Sequence, residues 1–346
     1  MNHSTLKETL AVIGSTLVLG ACGGGGGGSS APTVELPAAR SVAASGGANL
    51  SDTNFVALTS PAIQALLASV GGSGALEQPL SLERTGAQSA TGFKPGNRLA
   101  QTLITWSLGQ AQSRLDALAP REQLQALSSG SEGCSYGGSF SFTLNDADGN
   151  QQLSTGDSLT INFFNCVEIQ GEPAVNGGFS ITVNAVELDA AKNPVRLDAT
   201  VSFSALSVQG LGSLTGSARL WEVPVSSGGT HSVLRYSGMQ STFGATTVVL
   251  DFDVDEVSTG ASSTASINGG LGVQGQTYQL AQRQAFAGTA DGQPDSGTLS
   301  VLDAQGDRVD IIAHGLLVDR EFYPSGATTP TAVLRDTPWS SFTQAQ

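Results

Sequence analysis

The chain has 346 residues, with 29 acidic against 15 basic side chains and a formal net charge of −14 at pH 7. That balance excludes the basic patch by which proteins hold nucleic acid or anionic lipid headgroups, and it suits an exported acidic protein that could take a divalent cation. Charged residues make up only 13% of the chain, and Gly, Ser and Thr are abundant.

The first residues read as a targeting segment. Lys7 precedes a short apolar run from Leu10 to Leu19, and the small residues Gly20 and Ala21 lead to Cys22. An apolar run too short to span a bilayer, followed by small residues, predicts a secretory signal peptide over 1–21. The Leu19-Gly20-Ala21-Cys22 ending resembles a bacterial lipobox. That resemblance implies that Cys22 is diacylated through its sulfur, becomes the first residue after cleavage, and is then N-acylated. Gly23 stands where lipoproteins retained in the inner membrane commonly carry Asp, so the resemblance further implies the outer membrane, with the side it faces left open. Residues 22–35 then form the lipidated cysteine and a Gly/Ser-rich tether, a composition with few side chains to pack. No later apolar stretch is long enough to span a membrane as a helix.

Residues 36–130 read as a helical N-terminal part. Ser60-Pro61 looks like a helix start, Ile63, Leu66, Leu67 and Val70 follow at helical spacing, and Gly71-Gly72 stops them. A second helix is expected from about Asn97. Its stripe is Ile104, Leu108, Ala111, Leu115 and Leu118, with Pro120 ending or kinking it and Leu124 and Leu127 in a last turn.

Residues 131–346 read as an antiparallel β domain. Phe140, Phe142 and Leu144 alternate with polar residues, as do Leu159, Ile161 and Phe163, then Phe179, Ile181 and Val183. Leu197, Ala199, Val201 and Phe203 keep the pattern, Leu214 to Leu220 shares its parity, and Val248, Leu250, Phe252 and Val254 repeat it. Period-two alternation marks a strand with one buried face. Weaker strands are expected near Val233–Met239, Ala265–Val273, Gln276–Ala285, Thr298–Leu302, Val309–Ala313 and Leu317–Phe322. The expected fold is therefore mainly β: a large curved antiparallel sheet carrying two or three N-terminal helices on its apolar face. The pattern leaves open whether the sheet is open, barrel-like or a sandwich.

Cys134 and Cys166 flank the first hairpin of this domain. With Cys22 assigned to lipid, they form an even pair in an exported chain, which predicts a disulfide. The hairpin's loop runs from Asp146 to Asp157. Counted from Asp146, the oxygen-bearing residues Asp146, Asp148, Asn150, Ser154 and Asp157 fall at positions one, three, five, nine and twelve. Gln152 offers its backbone carbonyl at seven, and Leu153 is an apolar anchor at eight. That is the donor spacing of a twelve-residue calcium loop, because hard cations need six to eight oxygens. The loop resembles those of EF-hands and dockerins, with departures. Gln151 replaces the glycine at six, Asp157 the longer Glu at twelve, and strands rather than helices flank it. The expected affinity is weak, on the order of 0.1–1 mM. The competing reading is an Asx-rich turn that binds nothing.

Asp251, Asp253 and Asp255 share one strand face, and Asp303, Asp307 and Asp310 surround Gly306; a solvated acidic face and a plain turn are the simpler readings of both. His231 and His314 lack metal-protease spacing and have no nucleophile elbow to serve. From Cys134 through Asn145-Asp-Ala-Asp-Gly-Asn150 and Leu153-Ser-Thr-Gly-Asp157 to Asn165-Cys166, the chain resembles a group of uncharacterised proteobacterial lipoproteins. A looser likeness covers Pro294 to Trp339. The resemblance implies export and a β-rich fold and carries no reaction.

Three functions are weighed on these residues. The first is a non-enzymatic envelope lipoprotein with a binding or structural role. The second is a periplasmic carrier of apolar cargo in the concave face of the sheet. The third is an envelope-glycan hydrolase using carboxyls about 5–10 Å apart. No catalytic residue is assigned.

Overall fold

The computed structural model describes residues 34–47, 49–60, 127–167, 170–171, 173–190, 194–209, 212–243, 246–260, 262–289 and 294–342. Fourteen strands form one open antiparallel sheet in strict chain order. They are β1 (Leu127–Gly133), β2 (Ser139–Asn145), β3 (Ser158–Cys166), β4 (Val175–Leu188), β5 (Pro194–Val208), β6 (Gly212–Pro224) and β7 (Thr230–Phe243), continued by β8 (Thr246–Thr259), β9 (Ser262–Val273), β10 (Gln276–Thr289), β11 (Pro294–Leu302), β12 (Arg308–His314), β13 (Leu317–Tyr323) and β14 (Ala332–Pro338). Every strand pairs with its predecessor and successor, so the connections fall alternately on two rims. One rim carries the 146–157 loop and the β4–β5, β6–β7, β8–β9, β10–β11 and β12–β13 turns; we call it the loop rim. The other carries the β1–β2 turn with Cys134 and is called the disulfide rim.

The alternating apolar residues share one face. Leu144, Ile161, Phe179, Val201, Leu220, Leu234, Phe252, Ile267, Leu280, Val301, Val309 and Val318 all lie in a single buried cluster running from β2 to β13. Burial of this face is the main stabilising term, at about 1.5–3 kcal/mol for each large side chain. The opposite face holds a small second cluster of Val34, Ala185, Trp221 and Val233. It is otherwise polar.

Bulges interrupt the alternation. In β5 the core residues are Leu197, Ala199, Val201 and Phe203, then Leu206 and Val208. The parity switches at Ala205, whose φ of 51° is left-handed. Gly177 faces it across the bulge, where a Cβ would lie 2.0 Å from the Ala205 carbonyl oxygen, so only glycine fits. A bulge inserts an unpaired residue and re-aims everything beyond it.

Helical structure among the described residues is less than the two or three helices expected. It comprises a turn at 55–60 and a 3-10 turn, Trp339–Phe342. The first begins before the expected Ser60 start. The Phe55 amide already bonds the Ser51 carbonyl, and Asn54 Oδ1 accepts from the Ser51 amide. Ser60 does not cap this turn: its hydroxyl donates back to the Val56 carbonyl. Phe55 enters the main core and stacks on Phe322 at 6.1 Å. Arg320, buried on the core face of β13, donates to the Val56 carbonyl and the Ser60 hydroxyl. Burial pushes the Arg320 guanidinium pKa down. The remaining expected helices, 61–126, lie outside the described residues. Leu127, read as a last helical turn, opens β1 instead: Gly130 pairs with Phe142, whose ring sits where a Gly130 side chain would be.

Candidate metal centre

The β2–β3 loop is built by its own side chains. Asp146 is buried and accepts the Gly149 amide at 2.8 Å and the Gln151 amide at 2.9 Å. Asp148 accepts from the Asn150 amide and side chain. Asp157, also buried, accepts the Ala147 amide at 2.9 Å and the Ser154 amide at 2.7 Å, closing the loop on itself. Gln151 takes a φ of 59°, so a non-glycine residue adopts the left-handed turn that position six needs. The loop's far side joins the sheet, because the Gly156 amide bonds the Val183 carbonyl and the Val183 amide the Asp157 carbonyl.

Asp146, Asp148 and Asp157 each bring a carboxylate oxygen within 4.8 Å of the others. Of the other proposed donors, the Asn150 side chain is turned to Asp148 and to the Gln152 amide, and Ser154 Oγ is enclosed by protein and lies beside Asp157. Burial raises the Asp157 pKa, the amides of Ala147 and Ser154 oppose that, and the nearby Asp146 charge adds to the rise. Relative to the unfolded chain, the native loop therefore disfavours the charged form of Asp157. Its ionisation costs stability at neutral pH, and the cost fades as pH falls through the raised value. A bound cation would reverse the sign by favouring the charged form.

Cys134 and Cys166 are joined, with Cα atoms 5.5 Å apart. Hydrogen bonds between Tyr136 and Val167 and between Val167 and Gly137 reinforce the same corner. Cys22 lies outside the described residues.

Several other acidic groups are paired. On the polar face, Asp198 takes a two-pronged contact from Arg219 at 2.7 and 2.6 Å. Asp253 takes one from Arg235 at 2.8 and 2.7 Å. Arg40 bridges to Asp251 at 2.8 Å, and His231 meets Asp255 at 2.7 Å. The three-Asp row of β8 is thus engaged by two arginines and a histidine. Arg219 and Arg235 flank Trp221, 4.7 and 5.6 Å from its ring, and their hydrogen bonds to Asp198 and Asp253 raise their pKa values further. Asp303 binds the amides of Gln305 and Asp307 and that of Leu50, while Asp307 binds the Ser325 amide. Asp310 pairs with Ser300 and Arg308. His314 meets Asp319 at 3.0 Å, and Arg335 joins Asp319 to Glu321. Burial would raise the Asp319 pKa, but hydrogen bonds from Arg335, His314 and the Asp336 amide outweigh it and hold it below the usual carboxylate range.

These cross-strand pairs escaped sequence reading, because Asp198 and Arg219 become partners only once the β5–β6 register is known. No helix among the described residues is long and apolar enough to cross a membrane. Compared with protein-family models, with curated proteins and with solved structures, this chain matches none.

Proposed function

We propose that this protein is an envelope lipoprotein, anchored in the outer membrane through Cys22, whose curved β domain has a non-enzymatic binding or structural role. The observation that carries this reading is the pairing of its carboxylates. Asp198, Asp251, Asp253, Asp255, Asp310 and Asp319 are each engaged by an arginine or histidine. Carboxylates locked in ion pairs hold strands together and are poorly placed to exchange protons with a substrate. The buried apolar face, to which Phe55 of the N-terminal segment contributes, favours a filled core over an apolar-cargo carrier. Anchoring is tested by Cys22→Ala, which is expected to move the protein from the membrane to the soluble fraction. A variant that still partitions like wild type overturns the anchor.

The hairpin loop is read as a weak calcium site centred on Asp146, Asp148 and Asp157; Asn150 and Ser154 join the shell only by turning from the positions described above, with the Gln152 carbonyl as a further donor. At calcium tenfold above its dissociation constant the fold gains about 1.4 kcal/mol. Melting temperature at pH 7 is expected to be higher in millimolar calcium than in chelator, with magnesium doing less and Asp146→Ala abolishing the difference. The calcium effect is expected to shrink on acidification, because protons compete for Asp157. Identical melts in calcium and chelator, with no calorimetric binding, leave only the Asx-turn reading.

A further inference from the structure

Residues 34–47 form a strap across the polar face of the sheet. Val34 packs with Ala185, Trp221 and Val233 near the loop rim. The Ala38 carbonyl accepts from Arg235. The Arg40 amide donates to Asp253, and its guanidinium reaches the Tyr236 carbonyl and Asp251. Val42 lies over Gly270, where a Cβ would meet its Cγ1 at 2.7 Å. Ser45 then pairs with Thr277 through two backbone hydrogen bonds of 2.9 Å. Thr277 is the second residue of β10, so the strap has by then crossed to the disulfide rim. There Leu50 is held by Asp303, and Phe55 enters the core face.

The strap has a topological effect. Without it, the chain would leave the domain at Leu50, on the disulfide rim. With it, the described chain begins at Val34. Trp221, against which Val34 packs, lies three residues from the end of β6, so this point is about 10 Å from the loop rim. The other end of β6, Gly212, is nine residues from Trp221, or about 30 Å.

We propose that the strap sets the polarity of the domain on its membrane, so that the loop rim faces the bilayer. This rests on the reading that Cys22 is lipidated. The chain from Cys22 to Val34 can reach at most about 43 Å. Bringing the disulfide rim to the bilayer would use roughly 70% of that reach, whereas the loop rim needs under a third. The turn between β12 and β13 presents Leu316, 73% exposed, on that same loop rim. The acidic 146–157 loop gives no attraction to anionic headgroups, so strap and tether supply the orientation.

The test uses the full lipidated chain on vesicles of phosphatidylcholine carrying an acceptor dye on the headgroup. A donor is attached at Ser227→Cys on the loop rim or at Thr328→Cys on the disulfide rim, both exposed turn positions. With the two ends of β6 about 40 Å apart, energy transfer from position 227 is expected to exceed that from 328 by about twofold. Arg40→Ala and Gly270→Leu, which release the strap from the sheet, are expected to bring the two signals together; a matching circular dichroism spectrum and disulfide confirm the fold of each. Equal transfer in the wild type, greater transfer from 328, or a difference that survives both strap variants overturns the proposal. A chain that does not float with the vesicles at all refutes the lipid anchor, and the orientation with it; a chain that floats with equal signals refutes the orientation alone.

Discussion

Phe252→Ala is expected to lower the free energy of unfolding by about 3–5 kcal/mol, the range for an aromatic removed from a packed core. Phe252 is fully buried in the middle of β8. Its ring lies 5.1 Å from that of Tyr236 on β7, at 60°, a tilted arrangement that adds to the burial itself. On the other side it pairs with Gly269 of β9, where an added Cβ would come within 2.5 Å of the Phe252 Cα. Glycine lets the two strands approach, and truncating the phenyl ring opens a cavity beside a residue with no side chain to fill it. Urea unfolding should show a lower midpoint with an unchanged slope, and Phe252→Leu should cost less than half as much. A loss under about 1 kcal/mol for the alanine variant would mean that this face is not packed as described.

The disulfide is the second large contributor. Cys134 and Cys166 are 32 positions apart, and a bridge over that span limits the unfolded chain by about 3–4 kcal/mol in loop-closure entropy. The paired variant Cys134→Ala/Cys166→Ala should lose that amount in urea unfolding. The native protein in reductant should match it. The hydrogen bonds around Tyr136, Gly137 and Val167 keep the corner folded without the bridge, so the variant should remain native in dilute buffer. Equal stability with and without reductant would show that the bridge does not form.

Much of the sheet is legible in the sequence because its strands obey one rule. Phe142 and Leu144, or Val248 to Val254, announce a half-buried strand, and the disulfide follows from two cysteines flanking one hairpin. Legibility fails where that rule is suspended. Ala205 shifts Leu206 and Val208 to the other parity, so the second half of β5 looks like noise. β1 has the sequence Leu-Ser-Ser-Gly-Ser-Glu-Gly, with little intrinsic β preference; its pairing with β2 is a tertiary effect. The strap residues 34–47 carry no periodicity, since they bind through single contacts such as Arg40 and Ser45. In the loop, the donor spacing was visible, whereas the closure of Asp157 onto Ala147 and Ser154 required the fold.

The strict succession of strands has a kinetic consequence. Each strand's partner is the one just made, so loop closure is cheap at every step and hairpins can zip in chain order as the polypeptide emerges. The strap breaks that locality: the Arg40 amide finds Asp253 across 213 positions, and Leu50 finds Asp303 across 253. The segment that emerges early therefore has no surface to dock on until the middle of the sheet exists. Its docking is among the last events of folding, and the strap from Val34 to Ser45 reaches its place only once most of the sheet is complete.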